Sequence, residues 1–447
     1  TSKTVFNGLK NGPQAQFFGA GGLLGTITNF GSGFLKATGE VVHHVSDYIV
    51  NAFRADPVEQ EAWGQFVYVS EDKAVWSTTY QPTRSADPEK LEAEFWPGGA
   101  TLGNAQRGVK STTRVWADSS VSVQEVTLTN ESKDERTLAL TSFQDMALQN
   151  SGAYWAHPAY QKIFIQTKYD EKSQAIYGLR RGHAPGETWP VAFYFSDAPA
   201  GPGASFETSR EAFLGKGGAR APDALAGGTL TGMTGAVIEP AAILQRTVTL
   251  KPGESRTVRF FTGLANDEAA ARATIAKYRG LATKGLEGSR REAVLAAENE
   301  ILAAGIAPKN RAKWASVRSQ LLYPLPRNVS QESAPRTGRP SIAWRVSSEN
   351  EIPDALELIS LQPSWREKGT PADVVFLLDI ADASEKQRVR TALEAATTRM
   401  LPGWNRTRIE GVSVLDAAEA AGLESKASVL LGVTPGPSIA TASPRRE

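Results

Sequence analysis

Hydrophobic and polar positions alternate in short runs from the start of the chain to about residue 265. The runs "GQFVYVSE", "AVWSTTYQPT", "VSVQEVTLTNES", "RTLALTSFQDMAL" and "KIFIQTKYD" are rich in β-branched and aromatic residues and are separated by turn formers. Side chains that share a face at every second position define a strand, so each run predicts one. "PVAFYFSD" and "ILQRTVTLKPGESRTVRFFTGLA" extend the series, and Pro252 and Gly253 centre a turn within the second. The stretch "FFGAGGLLGTITNFGSGFL" is apolar but broken by glycines, which predicts tight turns between short strands rather than a spanning helix. Many short antiparallel strands in series predict two large sheets packed face to face.

Near Asn266 the period changes to that of amphipathic helices. "NDEAAARATIAKYRG" opens on the helix-capping pair Asn266-Asp267 and closes at Gly280, and "GSRREAVLAAENEILAAGI" and "APKNRAKWASVRSQLLYP" continue the pattern. Pro308 starts the last of these and Pro324 ends it. A polar, Pro/Gly-rich stretch follows. Then "ADVVFLLDIA" reads as a buried parallel strand ending at Asp379, and "SEKQRVRTALEAATTRML" reads as a helix with Ser384 as its N-cap. "GVSVLDAAEAAG" and "ASVLLGV" predict a further strand and a final helix or strand. The expected organisation is a β domain over 1–265, a helical linker over 266–325, a loop over 326–340, a small α/β segment over 341–435 and a disordered tail over 436–447. No internal repeat of fixed period is visible.

Composition narrows the function classes. The 447 residues predict two or three domains, and the 41% hydrophobic and 22% charged content is that of a globular protein. A net charge of +1, with no basic stripe interleaved with aromatics, argues against a nucleic-acid partner. The absence of cysteine removes disulfides, thiolate metal sites and cysteine nucleophiles without deciding between a bacterial cytoplasm and periplasm. No run predicts a membrane-spanning segment, and nothing calls for a cofactor. Thr1 in place of Met is read as the start of a processed chain or of a piece of a longer one.

The segments "EAWGQFVYVSEDKAVWSTTYQPT", "VSVQEVTLTNES", "HPAYQKIFIQT", "AFLGKG", "GAVIEPAAILQRTVTLKPGESRTVRFFTGLA" and "GIAPKNRAKWASVRSQLLYP" occur in an order and spacing that carry a likeness. The chain from about residue 5 to 325 resembles the amino-terminal half of glycoside phosphorylases of the cellobiose-phosphorylase type (glycosyltransferase 36, glycoside hydrolase 94). It is more similar still to the corresponding segment of bacterial cyclic β-1,2-glucan synthases. A weaker likeness runs through "SIAWRVSSENEIP" and "ADVVFLLD" to about 435. The resemblance implies a mainly β fold, a galactose-mutarotase-like β-supersandwich followed by linker helices. In those enzymes an (α/α)6 barrel follows and carries the catalytic aspartate in a Trp-Asn-Asp context. Here the one Trp-Asn pair, Trp404-Asn405, is followed by Arg406, and the residues after Pro324 are too few for a twelve-helix barrel. The resemblance therefore implies the fold and a sugar context, and it transfers no catalytic residue.

Candidate sites are sparse. His157, one of four histidines, follows Tyr154 and Trp155 and precedes Pro158. Aromatic faces stack on pyranose rings and imidazole bonds hydroxyls, so Tyr154, Trp155, His157, Gln161 and Trp189 are sugar-binding candidates. For His157 to serve as a general acid it needs a nearby carboxylate, for which Asp145, Glu187 and Glu239 are available. The alternative for His157 is a loop residue tying one sheet to the other. His43 and His44 with Asp47 fall in a segment read as an exposed edge, and adjacent strand residues point opposite ways, against a metal site. His183, beside Arg180 and Arg181, reads as a solvated turn or as a contact for an acidic sugar or phosphate. Trp63, Trp76 and Tyr80 read as core, Trp76 and Tyr80 on one face of a strand. "GPGASFETSREAFLGKGGARAPDALAGG" reads as a long glycine-rich loop suited to docking, and Asp379 as a strand-end cap or ligand position.

The preferred reading is a non-catalytic, carbohydrate-binding or scaffolding module of, or partner to, a β-glucan synthase or glycoside phosphorylase. Its partners would be a β-glucan or oligosaccharide and a catalytic barrel domain or partner chain. The alternatives are a mutarotase- or epimerase-like enzyme using His157, and a purely structural subunit.

Overall fold

The computed structural model describes residues 4–7, 14–20, 22–37, 48–52, 62–182, 184–227, 230–281, 283–322, 340–367, 370, 372–399, 407–408, 411–418 and 423–432. The chain forms two compact units, Thr1–Ala303 and Ala304–Glu447, and the division falls inside the span read as one helical linker.

The first unit opens with β1 (Thr4–Asn7), β2 (Ala15–Ala20), β3 (Leu23–Thr28), β4 (Gly33–Ala37), β5 (Tyr48–Asn51), β6 (Gln65–Glu71) and β7 (Ala74–Ser77). It continues with β8 (Glu92–Trp96), β9 (Gly99–Gln106), β10 (Val109–Ala117), β11 (Val121–Asn130) and β12 (Arg136–Asn150). Two short helices, α1 (Ser151–Ala156) and α2 (Pro158–Lys162), precede β13 (Ile165–Asp170), β14 (Ala175–Arg180), β15 (Val191–Ser196) and β16 (Ser205–Ser209). Then come α3 (Arg210–Leu214), α4 (Asp223–Gly227), β17 (Pro240–Leu250), β18 (Ser255–Ala265), α5 (Glu268–Gly280) and α6 (Thr283–Ala303).

These strands make two antiparallel sheets. One runs β1-β8-β9-β10-β11-β18-β15-β14-β13, and the other runs β16-β17-β12-β5-β4-β3-β2 with β6 and β7 attached to β12. Their facing sides share one core, to which Phe95, Leu102, Val126 and Phe260 come from the first sheet and Phe18, Tyr48, Val69, Leu140 and Leu244 from the second. The outer faces are apolar as well. On the first sheet Trp116, Phe193, Phe195 and Phe261 pack with Ala271, Ile275 and Tyr278 of α5 and Leu286 and Ala293 of α6. On the second, Phe66, Tyr68, Phe143 and Ile243 pack with Phe213 and Leu214 of α3 and Leu225 of α4. Strands covered on both faces lose the simple alternation of a half-exposed sheet, which is why "VAFYFS" is buried at every position.

Several local expectations are corrected. The strand expected over "KIFIQTKYD" begins only at Ile165, because Pro158–Lys162 is a turn of helix, Pro fitting the first helical position and Asn150 capping the helix before it. Tyr48–Asn51, inside the supposed exposed edge, is a fully buried strand whose Asn51 side chain bonds the backbone of β4. The expected docking loop folds instead into β16, α3 and α4, and Asp223 gathers the backbone N–H groups of Lys216 and Gly217. β7 ends at Ser77, so Tyr80 lies beyond the strand and shares no strand face with Trp76.

The second unit contains α7 (Arg311–Leu322), β19 (Ser341–Val346), α8 (Ile352–Glu367), β20 (Asp373–Leu378) and α9 (Ala383–Ala396). The two-residue strands β21 (Thr398–Arg399) and β22 (Thr407–Arg408) precede β23 (Val412–Asp416), α10 (Leu423–Lys426) and β24 (Val429–Leu431). Its main sheet is parallel, in the order β23-β20-β19-β24. Glu357 of α8 accepts from Ala307 N, Asn310 Nδ2 and Trp314 Nε1, which binds α7 to this sheet's helical layer. The N-cap of α9 is Asp382, not Ser384, because its carboxylate reaches Glu385 N at 2.6 Å, the third helical position. The expected tail over 436–447 and the Trp404-Asn405-Arg406 triplet lie outside the described residues.

Candidate functional site

β12 delivers the chain to this region. A register shift between Met146 and Gln149 marks a bulge, and Leu148 has φ 45°, left-handed for a buried side chain. Asn150 ends the strand and caps α1 by accepting from Gly152 N. His157 closes α1 and opens α2, with its backbone carbonyl accepting from Gln161 N at 3.0 Å.

The five expected sugar contacts separate into different roles. Tyr154 is fully buried with Ile49, Ala52 and Ala147, so it is part of the packing that seats α1 and offers no free ring face. Trp155 lies in α1, and its side chain falls outside the described part. His157 is exposed. Gln161 is buried and central, with Oε1 accepting from Gln149 Nε2 at 2.9 Å and from an Arg180 amino group at 2.7 Å. Trp189 is half-buried beneath the Arg180 guanidinium, 5.0 Å from its ring centre.

Arg180 organises this cluster. Its guanidinium lies over Trp189 and over Phe164, and its second amino group donates to the Gln161 carbonyl at 3.0 Å. Burial pulls this guanidinium below its ordinary pKa, partly offset by Tyr48 and Glu187. Burial pushes the Tyr48 phenol well above its usual range, with Arg180 working against it. The Tyr48 and Trp189 ring centres are 6.1 Å apart. Arg180 Nε, Tyr48 Oη and Trp189 Nε1 are all buried donors without a hydrogen-bond acceptor among the described residues. Ring and guanidinium contacts place the three residues in one cluster, and unmet donors of this kind suit acceptor oxygens.

α2 also reaches a second cluster. Lys162 lies over the Trp63 ring at 5.0 Å and Arg210 over the same ring at 5.8 Å. Arg210 pairs with Asp145 at 2.9 Å and Glu239 at 3.0 Å, and Lys162 is 4.0 Å from Glu239. Two of the three carboxylates weighed as partners for His157 are therefore engaged with cations. The third, Glu187, accepts from Ala184 N within its own turn. Arg180, Lys162 and Arg210 escape sequence reading because surface turns are rich in such residues, and their aromatic partners are distant in the chain. Trp63, read as core, and Trp189, read as a sugar contact, are the signal that was available.

Asp379 directly follows β20, which ends at Leu378, and it pairs with Arg345, which also grips Glu424 with two bonds. His43, His44, Asp47 and His183 lie outside the described residues. Among the described residues no group of three His, Cys, Asp or Glu could hold a metal ion, and no helix is long and apolar enough to cross a membrane.

Comparison with known proteins agrees with this architecture. Residues 7–281 match the family model "Glycosyl hydrolase 94, supersandwich domain". The chain is 26% identical over 374 residues to the cyclic beta-(1,2)-glucan synthase NdvB of Rhizobium meliloti (strain 1021), covering 78% of this chain and 13% of that protein. It is 24% identical to solabiose phosphorylase of Paenibacillus borealis, covering 61% of this chain and 34% of that one. It is 28% identical to a 3-O-beta-D-glucopyranosyl-beta-D-glucuronide phosphorylase of the same organism, covering 48% and 27%. The chain thus spans between about an eighth and about a third of the length of these relatives. With more than half of its length in that one match and two nine-stranded sheets to carry it, the chain belongs to the glycosyl hydrolase 94 family through its supersandwich domain.

Proposed function

We propose that this chain is a non-catalytic carbohydrate-binding and scaffolding module that belongs to, or works beside, a β-glucan synthase or glycoside phosphorylase. The relatives bear the names of a cyclic β-(1,2)-glucan synthase and of phosphorylases, which supports a glucan context. The observation that carries the reading is the trio of buried donors on Tyr48, Arg180 and the half-buried Trp189 that find no acceptor among the described residues. Saccharide hydroxyl and ring oxygens supply acceptors, and a pyranose CH face covers an indole. Trp155, His157 and Trp189 are the sugar-contact residues in this proposal, with the buried Gln161 and Tyr154 as their foundation. The ion pairs of Asp145 and Glu239 with Arg210 favour binding over acid-base chemistry, since both carboxylates are already neutralised. Residues 266–325 serve as the linker to a catalytic barrel or partner chain.

The test is calorimetric titration of the chain with β-1,2- and β-1,4-linked glucooligosaccharides. Binding that weakens about tenfold in Trp189→Ala, with folding intact, is the expected result. Absence of binding to either series would leave a structural subunit. Anomerisation of free sugars that disappears in His157→Ala would establish the mutarotase-like alternative.

A further inference from the structure

The first sheet and α6 line an open groove of about 510 Å³. One wall is strand-borne, formed by Glu94 and Trp96 of β8, Thr101 of β9 and Arg114 of β10. Pairing places Glu94 opposite Thr101 and Thr101 opposite Arg114, so these side chains form one row across the sheet. The row continues into Glu125 and Arg259, and Arg259 pairs with Asp197. The other wall is Glu287, Arg290 and Arg291 of α6, which share a helical face by their spacing.

The walls are fixed to each other. Gly98, at the tip of the β8–β9 hairpin with φ 85°, lies so near α6 that a Cβ there would meet the Ala293 carbonyl oxygen at 2.4 Å. Farther along, Trp116 Nε1 donates to Ser289 Oγ at 3.1 Å. The groove is therefore preformed, and its volume falls in the range of small-ligand sites.

We propose that this groove binds a saccharide that carries an anionic group, a carboxylate or a phosphate. Three guanidiniums and two carboxylates line it. Arg290 is taken by Glu287, and Arg114 is taken by Glu125. Arg291 is exposed and has no ion pair among the described residues, so its fork is left for a ligand oxyanion. Trp96 lines the groove but is mostly buried, its Nε1 donating to Thr101 Oγ1 at 3.1 Å, and Thr101 and Glu94 supply polar groups for hydroxyls. Hydroxyl-binding groups beside a guanidinium fit a polyhydroxylated anion better than a bare inorganic one, which has no hydroxyls for them to bond.

The experiment titrates the full chain with cellotetraose, with cellotetraose oxidised to its aldonate at the reducing end, and with glucose 1-phosphate. At low ionic strength one of the two charged probes binds about five- to tenfold tighter than cellotetraose. The stronger of the two identifies the group as carboxylate or phosphate. Arg291→Gln removes this preference, while Arg291→Lys keeps part of it. Arg291 is exposed, so both variants fold, which circular dichroism verifies. Equal affinity for charged and neutral probes, survival of the preference in Arg291→Gln, or no binding of either charged probe overturns the proposal. The readout is a preference that depends on Arg291, so its outcome is separate from whether neutral glucan binds beside Trp189.

Discussion

Tyr278 donates its phenolic proton to Asp118 Oδ2 at 2.5 Å, which joins α5 to the turn between β10 and β11. The same oxygen accepts from Ser289 Oγ of α6 at 2.6 Å, and Asp118 Oδ1 accepts from Ser120 N and Val121 N. One buried carboxylate thus holds two helices and a turn on the outer face of the sheet. Asp118→Ala would strand all of these donors and destabilise the first unit by about 3 kcal/mol, read from urea unfolding. Tyr278→Phe removes one bond and costs about 1 kcal/mol.

Gly98 seats the β8–β9 hairpin directly against the backbone of α6. Gly98→Ala adds a methyl group against helix backbone at a left-handed φ, so we expect a loss of about 2 kcal/mol or more. Gly253, also left-handed but with open space around it, gives the control. Gly253→Ala carries the conformational cost alone, about 1 kcal/mol, and thermal unfolding of the two variants separates the steric part.

Ser173 Oγ donates to Asp170 Oδ2 at 2.7 Å, and this bond holds the carboxyl below its ordinary pKa of 3.8, with burial opposing and Lys172 N assisting. A carboxyl depressed in the folded state stabilises it above the unfolded pKa, and the contribution fades as pH falls through the folded value. Ser173→Ala therefore costs about 1 kcal/mol near neutral pH, and the difference from the parent shrinks below about pH 3.8. Urea midpoints of both proteins measured on either side of that pH check the sign.

The module reading predicts that the chain incubated with glucose 1-phosphate and glucosyl acceptors releases no phosphate above blank. Sustained turnover abolished by a single carboxylate substitution would refute it. Within the α1–α2 cap, Trp155→Ala weakens glucan binding by about tenfold, whereas His157→Ala costs about threefold, because a stack outweighs a solvated hydrogen bond.

The fold was readable where local chemistry and burial agree. Asp267 caps α5 as its position suggested, accepting from Ala270 N at 2.8 Å, and Pro252-Gly253 turns between β17 and β18. The supersandwich followed from family likeness together with the strand pattern. The short helices α1 to α4 escaped because five or six residues are too few to show a helical period, and Pro158 looks like a breaker as readily as a starter. In the candidate site Gln161 and Trp189 were legible as polar and aromatic residues of the right kind. Arg180 was not, since its burial depends on Phe164, Trp189 and Tyr48, which only the folded sheets bring to it.

The bulge in β12 has the effect of a phase shift. Strand side chains alternate with period two, so one extra residue near Leu148 exchanges which partners face which side downstream of it. β12 keeps its own alternation, with Met146 and Leu148 in the shared core and Ala147 on the other face, but its pairing with β5 steps from Met146–Asn51 to Gln149–Ile49, three residues against two, and there Gln149 meets Gln161. Deleting a single residue here would restore an even count and turn the Gln149 amide away from Gln161. The position is therefore intolerant of length change in a way that no substitution scan would reveal, whereas an insertion in the exposed Ala184–Glu187 turn leaves every strand in phase.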